Sequence, residues 1–472
     1  MNLNLLNKQV KKDLSYLNYP GENWVLPMTH PEGHVYDVII VGGGQSGLGA
    51  AFGLLKERIS NILVIDENEE GFEGPWETYA RMITLRTPKH LTSIDLGVPS
   101  LTYRSWWEAQ FGSESWEKID KIPRSDWMNY LRWYRKVLNI PVRNKVKLSL
   151  IEPMKEGIHR LHIKSKGTLT DTLLARKVIL ATGIQGGGEW HIPSLITKNL
   201  PTNLYAHTSQ QIDFKALQGK KIGILGGGAS AFDNAHFALT KGVVEAHVFV
   251  RRKELPRINP IRQMEVSGII ERFHSLSDQE KYKAISHFFK HNQPPTNDTF
   301  NRASSCPGFH LHLDSPWLDV KYTEDGVIVT TPHAQFNFDF LIISTGLLTD
   351  PALRPELKLI EKSIARWNDH YKAPKEIANP VLDAHPYLSP GFAFLDRNVK
   401  GPKQAYGIFA YNYSALISCG ITASALSGMK HGIPKLVTAV ADQLFLDDKE
   451  EILNNFYNYN EQEFVGNWPI TV

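Results

Sequence analysis

The apolar positions fall into short β-branched runs, several of which end in glycine turns, with helical spacings between them. Tyr36-Asp37-Val38-Ile39-Ile40-Val41 is apolar at nearly every position, which predicts a strand covered on both faces. It runs straight into Gly42-Gly43-Gly44-Gln45-Ser46-Gly47, and residues 48–56 then follow a helical spacing. Asn61-Ile62-Leu63-Val64-Ile65-Asp66 predicts a second strand that ends in an acid. Alternation around 161–165 predicts antiparallel strands, and 177–183 reads as a strand entering a Thr-Gly turn. The same order returns at Lys221-Ile222-Gly223-Ile224-Leu225, followed by Gly226-Gly227-Gly228-Ala229-Ser230-Ala231 and the strand Ala246-His247-Val248-Phe249-Val250. Residues 285–310, with Pro294-Pro295, read as a polar, irregular insertion or substrate-side loop. Residues 340–346 echo 177–183, and 415–445 carry helical apolar spacing.

This order predicts an α/β fold of two Rossmann-like dinucleotide-binding domains, the second inserted in the first. The expected division is a leader over 1–35 and a first domain over 36–215 and 336–445. A second domain takes 216–335, and a C-terminal tail takes 446–472. At the first turn, Gly42 permits the tight bend, Gly44 lets a pyrophosphate approach the backbone, and Gly47 lets helix and strand pack closely. The helix N-terminus offers amide donors to the anion, and Asp66 can accept from ribose hydroxyls. The bland alternative is an ordinary strand-to-helix turn.

Gly226, Gly228 and Ala231 take the three roles at the second turn. Where the first site has Asp66, this one has Arg251, followed by Arg252 and Lys253. A carboxylate there would repel a 2′-phosphate, whereas a guanidinium grips one, so the contrast favours NADPH over NADH. The alternative is a solvated basic turn. Two such turns in one chain imply electrons passing from one dinucleotide to the other.

Composition narrows the class. The chain has 472 residues, 42% apolar and 21% charged, with a formal net charge of +3, which gives no reason to invoke nucleic acid. Several of its eleven tryptophans fall between Trp76 and Trp133, fitting an aromatic-walled cavity or, equally, a heavy core or interface. Cys306 and Cys419 lie far apart, so neither a disulfide framework nor a metal cluster is expected. The N-terminus lacks a secretory pattern and no run reaches eighteen apolar residues, so a cytoplasmic protein without a membrane span is expected. A homodimer is left open.

Both fingerprints, their spacing and the two strands ending in Thr-Gly resemble the two-dinucleotide-binding-domain flavoproteins. Within these, the chain looks most like the flavin-containing and Baeyer–Villiger-type monooxygenases over residues 35–440. The resemblance implies FAD at the first site, NADPH at the second, and transfer of one oxygen atom from a C4a-(hydro)peroxyflavin to a small organic substrate. Glu73-Gly74-Pro75-Trp76 resembles the family's Gly-Gly-x-Trp segment beside the flavin, with Glu73 replacing the first glycine. His207 matches the histidine of the family's linker signature, with Pro201 and Asn203 where Phe and Gly stand in the family; it would support domain movement or nicotinamide placement. Thr182-Gly183 and Thr345-Gly346 match the family's hinge turns.

Arg86 and Lys89, soon after Trp76 with His90 beside them, are candidates to stabilise a reduced or oxygen-carrying flavin by charge. Their bland reading is neutralisation of surface acids or contact with the cofactor's phosphates. Arg124 resembles a residue serving the FAD diphosphate, while Asn412 and Tyr413 fall near where the family closes over the flavin. The competing readings are a flavin reductase or oxidase releasing hydrogen peroxide, and a non-catalytic flavin-binding redox sensor.

Overall fold

The computed structural model describes residues 2–165 and 169–469. Its first sheet runs in the order Val142–Arg143, Ile62–Ile65, Gly33–Val41, Leu169–Leu180, His159–Ser165, Val146–Pro153. Ile39 pairs in parallel with Leu63 on one side and Val178 on the other, and Ile408–Phe409 joins Val178 and Ile179 in parallel. Strand Leu169–Leu180 has two halves. Its first half pairs antiparallel with His159–Ser165, where burial alternates through His159, Leu161 and Ile163. Its second half enters the parallel core, where Val38, Ile39 and Ile40 are all fully buried. That is why one stretch of sequence alternates and the other does not.

The helix Gln45–Lys56 is buried from Ser46 to Leu54 because small residues let other elements approach it. Ile433 and Val437 of the helix Leu426–Tyr457 pack directly onto Gly49 and Gly53.

The second sheet is wholly parallel: Phe309–His312, Glu245–Phe249, Lys221–Leu225, Phe340–Ile343, Tyr205–His207. Two of these strands correct the domain division expected from sequence. Tyr205–His207 precedes the 215/216 boundary and Phe340–Ile343 follows the 335/336 boundary, yet both pair within this sheet. The echo between 177–183 and 340–346 is real at the level of strand and turn; the two strands serve different sheets. The helix Ala229–Thr240 covers one face through Phe232, Ala235 and Ala238. A three-stranded antiparallel sheet, Asp319–Thr323, Gly326–Thr330 and Gln335–Phe338, packs Val320, Val329 and Phe338 with Phe249, Leu341 and Ile343.

One other segment departs from expectation. Residues 285–310 are largely helical, in Asp278–His291 and Asn297–Ser304. A reciprocal capping box of Ser277 and Glu280 starts the first helix, whose Tyr282 and Ile285 are buried. The polar residues between are its solvated face. The leader contains the helix Leu3–Tyr16, whose Leu6, Val10 and Leu14 recur every fourth residue and join the main core. The tryptophans also belong mostly to the core: Trp106, Trp107, Trp116 and Trp127 surround the Tyr103 ring at 5.5 to 6.2 Å. Among the described residues no helix is long and apolar enough to cross a membrane.

The expected tail begins inside a helix. Leu426–Tyr457 carries Asp447 and Asp448 onto two buried cations of the first sheet. Arg176 meets Asp448 through both oxygens at 2.9 and 2.7 Å, and the Lys177 ammonium lies 2.7 Å from Asp447. Nearby, buried His159 bonds the Tyr406 carbonyl at 2.9 Å through Nε2. Burial, helped by the Lys177 charge, pushes its pKa down to about 4. The unfolded chain therefore binds a proton that the folded chain refuses between about pH 6.5 and pH 4. Stability is expected to hold above that window and fall as pH drops through it, by about 3 kcal/mol at most from this group. Urea unfolding across that range should show a shallower decline for His159→Gln.

Candidate functional site

A cleft of about 2070 Å³ runs along the carboxyl ends of the parallel strands of both sheets, and both glycine turns border it. At its first end Gly42 holds φ +108°, and a Cβ on Gly47 would collide with the Gly42 carbonyl. Gly44 borders the cleft, and a Cβ there would make only ordinary contact, with Gly74 Cα at 3.8 Å. The Gly43 amide donates to Asp66 Oδ2 at 2.7 Å and the Asn68 amide to Oδ1 at 2.8 Å. Burial raises the Asp66 pKa, and these two amides oppose the rise. Trp76 is buried on the wall, edge-on to Trp127, and its indole Nε1 has no partner. Gly183 turns at φ +72° beside them. Asn412 braces that turn, donating to the Leu180 carbonyl at 3.2 Å and Thr182 Oγ1 at 3.1 Å, while Tyr413 lines the wall.

The second end repeats the plan. Gly226 holds φ +130° under the Ser344 carbonyl, Gly228 has nothing within 4 Å of a would-be Cβ, and Ala231 is fully buried. Arg251 is exposed on the cleft and makes no ion pair among the described residues. Arg252 also borders it, but its guanidinium caps the helix Asp278–His291 by donating to the Lys290 and His291 carbonyls at 3.3 Å. Gly346, at φ +80°, completes this end.

Between the ends, two arginines tie the units together. Arg86 pairs with Asp233 at 2.6 Å, and Arg81 donates to the Thr208 and Gln210 carbonyls at 2.6 and 2.8 Å. Arg86 Nε and Asn234 Oδ1 are buried without partners. Burial raises the Asp233 pKa, opposed by Arg86. His207 stacks on Trp190 at 4.8 Å, and its Nδ1 accepts the Ser209 amide at 3.2 Å. Burial pushes its pKa down to about 4, so near neutral pH it is an uncharged imidazole with the proton on Nε2.

Two sequence candidates are corrected. Lys89 does not border the cleft; its ammonium donates to the Trp116 and Ile119 carbonyls, both at 2.7 Å, at the end of the short helix Ser113–Lys118. Arg124 is also off the cleft, with Nε on the Met82 carbonyl at 3.1 Å, which fixes the chain entering the Arg86 segment. Glu73, standing where the resembling family has glycine, is a buried strut paired with Arg135 at 2.8 Å. The sequence reading missed Arg81, Trp190, Asp233 and Asn234. The last two carried a signal, since adjacent acid and amide interrupt the buried face of the helix Ala229–Thr240.

The open approaches at Gly44 and Gly228, the partnerless Trp76 Nε1 and the free Arg251 fit two dinucleotides, one without and one with a 2′-phosphate.

Comparison with known proteins agrees. The family model described as pyridine nucleotide-disulphide oxidoreductase matches residues 39–294, just over half the chain. The FAD-dependent urate hydroxylase of Xanthomonas campestris pv. campestris is 59% identical over 470 residues, covering 99% of this chain and 98% of that protein. The chain belongs to the flavin-dependent monooxygenases. As a member it is an oxidoreductase that uses FAD and NADPH and transfers oxygen to a small molecule.

Solved structures of this monooxygenase architecture share its fold. The ornithine hydroxylase of Pseudomonas aeruginosa in reduced form superposes with a TM-score of 0.68 at 16% identity, over 87% of this chain and 100% of that one. A Kutzneria ornithine N-hydroxylase described with reduced FAD, NADP⁺ and L-ornithine gives 0.66 at 15% identity, over 87% and 99%. The disulphide chemistry in the family description has no cysteine pair here: Cys306 and Cys419 are both free, and burial pushes the Cys419 thiol to about 12.

Proposed function

We propose that this monooxygenase hydroxylates urate. The observation that carries the reading is identity of 59% along essentially the whole of both chains with a protein named an FAD-dependent urate hydroxylase. The reaction balances as urate, O₂, NADPH and a proton giving hydroxylated urate, NADP⁺ and water. FAD, when bound, supplies the two-electron chemistry and the activation of oxygen.

The residues of this chain hold and orient. Gly42, Gly44 and Gly47 with the following helix take the FAD pyrophosphate, Asp66 its ribose, and Trp76 and Gly183 border the ring end. Gly226, Gly228 and Ala231 take the NADPH pyrophosphate, with Gly346 at the turn beside them. Arg251 grips the 2′-phosphate, while Arg252 fixes the neighbouring helix end. His207, neutral and stacked on Trp190, positions the nicotinamide and is not a base.

Arg86 is the cation of the substrate wall. Urate is a planar anion at neutral pH, its rim alternating N–H donors and carbonyl acceptors. Arg86 beside Asp233 and Asn234 offers the matching mixture of donors and acceptors. A cytoplasmic setting belongs to the same reading, supported by two cysteines left as thiols.

The test is NADPH consumption by the FAD-loaded enzyme with urate, L-ornithine or L-lysine, with hydrogen peroxide measured in parallel. Urate alone should accelerate consumption without matching peroxide. Acceleration by an amine, or peroxide equal to NADPH with urate present, contradicts the proposal. Arg251→Ser should raise the KM for NADPH about ten- to a hundredfold through lost charge-assisted bonds, and leave the KM for NADH nearly unchanged. Steady-state kinetics with both nucleotides checks it.

A further inference from the structure

Four titratable side chains converge on the second sheet outside the cleft. Parallel register sets His247 beside His310 and Phe249 beside His312 on the edge strand Phe309–His312. Alternate residues of a strand share a face, so Glu245, His247, His310 and His312 meet. None of the four lines the cofactor cleft. Glu245 opens the strand whose last residue, Phe249, borders that cleft.

The atoms are already ordered. Lys221 holds Glu245 Oε1 at 2.8 Å, leaving Oε2 turned to His247 Nε2 at 3.1 Å. His247 Nδ1 lies 2.9 Å from His312 Nε2, and the His310 ring lies 4.2 Å from the His247 ring, centroid to centroid. One donor atom from each of Glu245, His247 and His310 falls within 4.8 Å of the other two.

We propose that Glu245, His247 and His310 bind one divalent transition-metal ion of the zinc class, with His312 orienting His247 from behind. Two imidazoles and one carboxylate are a common donor set for such an ion, water completing the tetrahedron. Two ligand atoms held at about 2.0–2.1 Å from one zinc in a tetrahedron lie about 3.4 Å apart. The Glu245–His247 pair stands near that separation now, and exposed His310 can rotate to supply the third ligand. With metal on His247 Nε2, the proton sits on Nδ1 and is donated to His312 Nε2, the outer support that metal-bound histidines use. Phe336 and Phe338 wall the inner side of His247 at 5.9 and 5.2 Å. The ion would fasten the edge strand to its neighbour, away from the oxygen chemistry.

The test titrates Zn²⁺ into the full-length, FAD-loaded protein after chelator treatment, read by calorimetry and by Tm. The expected result is one equivalent bound and a Tm that rises with Zn²⁺. His310→Ala, at an exposed position, and His247→Ala should each weaken binding at least tenfold, and His312→Ala about tenfold. Unchanged flavin absorbance in each variant shows that the fold is kept. Binding of Zn²⁺ by the His247→Ala/His310→Ala double variant as tightly as by the unaltered protein, or no stoichiometric binding by the unaltered protein, overturns the proposal.

Discussion

Gly47→Ala is expected to yield protein that purifies without flavin. The added methyl group would collide with the Gly42 carbonyl oxygen and press on Ile40 Cγ2 at 3.4 Å. Gly42 cannot yield, because it already holds φ +108° and is itself packed against the Ala181 carbonyl. The helix Gln45–Lys56 must therefore move off the sheet, taking with it the amide donors that meet the pyrophosphate. Flavin affinity should fall by at least about a hundredfold, the scale of losing roughly two charge-assisted hydrogen bonds. Flavin released on denaturation, per mole of chain, measures it, with circular dichroism to show that helices persist. The second turn supplies the contrast. Ala231 already carries the extra methyl there and is fully buried, so Ala231→Gly should leave the KM for NADPH nearly unchanged. A Gly47→Ala protein as yellow as its parent would remove the steric argument for the first site.

Asp448→Ala is expected to be the most destabilising change outside the cofactor sites. Arg176 is almost fully buried in the sheet, and both Asp448 oxygens satisfy its guanidinium. Removing the carboxylate leaves the buried charge with the Leu26 carbonyl at 3.3 Å, the nearby Asp37 carboxyl, and the more distant Asp447, 3.8 Å away and already engaged by Lys177. The expected cost is about 3–5 kcal/mol, well above a typical surface change. Replacing both partners, as in Arg176→Met/Asp448→Leu, removes the orphaned charge and should recover most of that loss. Urea unfolding of the three proteins decides it. A loss below about 1 kcal/mol in Asp448→Ala would mean that water reaches Arg176.

The parts of this fold that sequence revealed are those where sterics leave few choices. A strand such as Val38–Val41 followed by glycine turns at 42, 44 and 47 has few other uses, and Asp66 against Arg251 distinguishes the two turns by charge alone. Sheet membership was hidden. The end of strand Leu169–Leu180 and strand Phe340–Ile343 are both apolar and both run into Thr-Gly, and only pairing across the chain separates them. Lys89 and Arg124 misled for a related reason. Their close hydrogen bonds go to backbone carbonyls, which leave no mark in sequence, with acids only farther off at 3.8 to 4.0 Å. Arg81 gave no signal because it acts on carbonyls more than a hundred residues away, and Trp190 because nothing in sequence marks its stacking on His207. Asp233 and Asn234 did give one, as two polar residues on a helix face otherwise built of alanine and phenylalanine.

In the proposed reaction, electrons from NADPH drive one atom of dioxygen into urate. Mass spectrometry of the product formed under ¹⁸O₂, with NADPH and urate consumption followed together, tests it directly. One ¹⁸O in each hydroxylated purine, with one NADPH oxidised per urate lost, is the predicted result. An unlabelled product, or NADPH oxidised with all oxygen returned as peroxide and urate untouched, would contradict it.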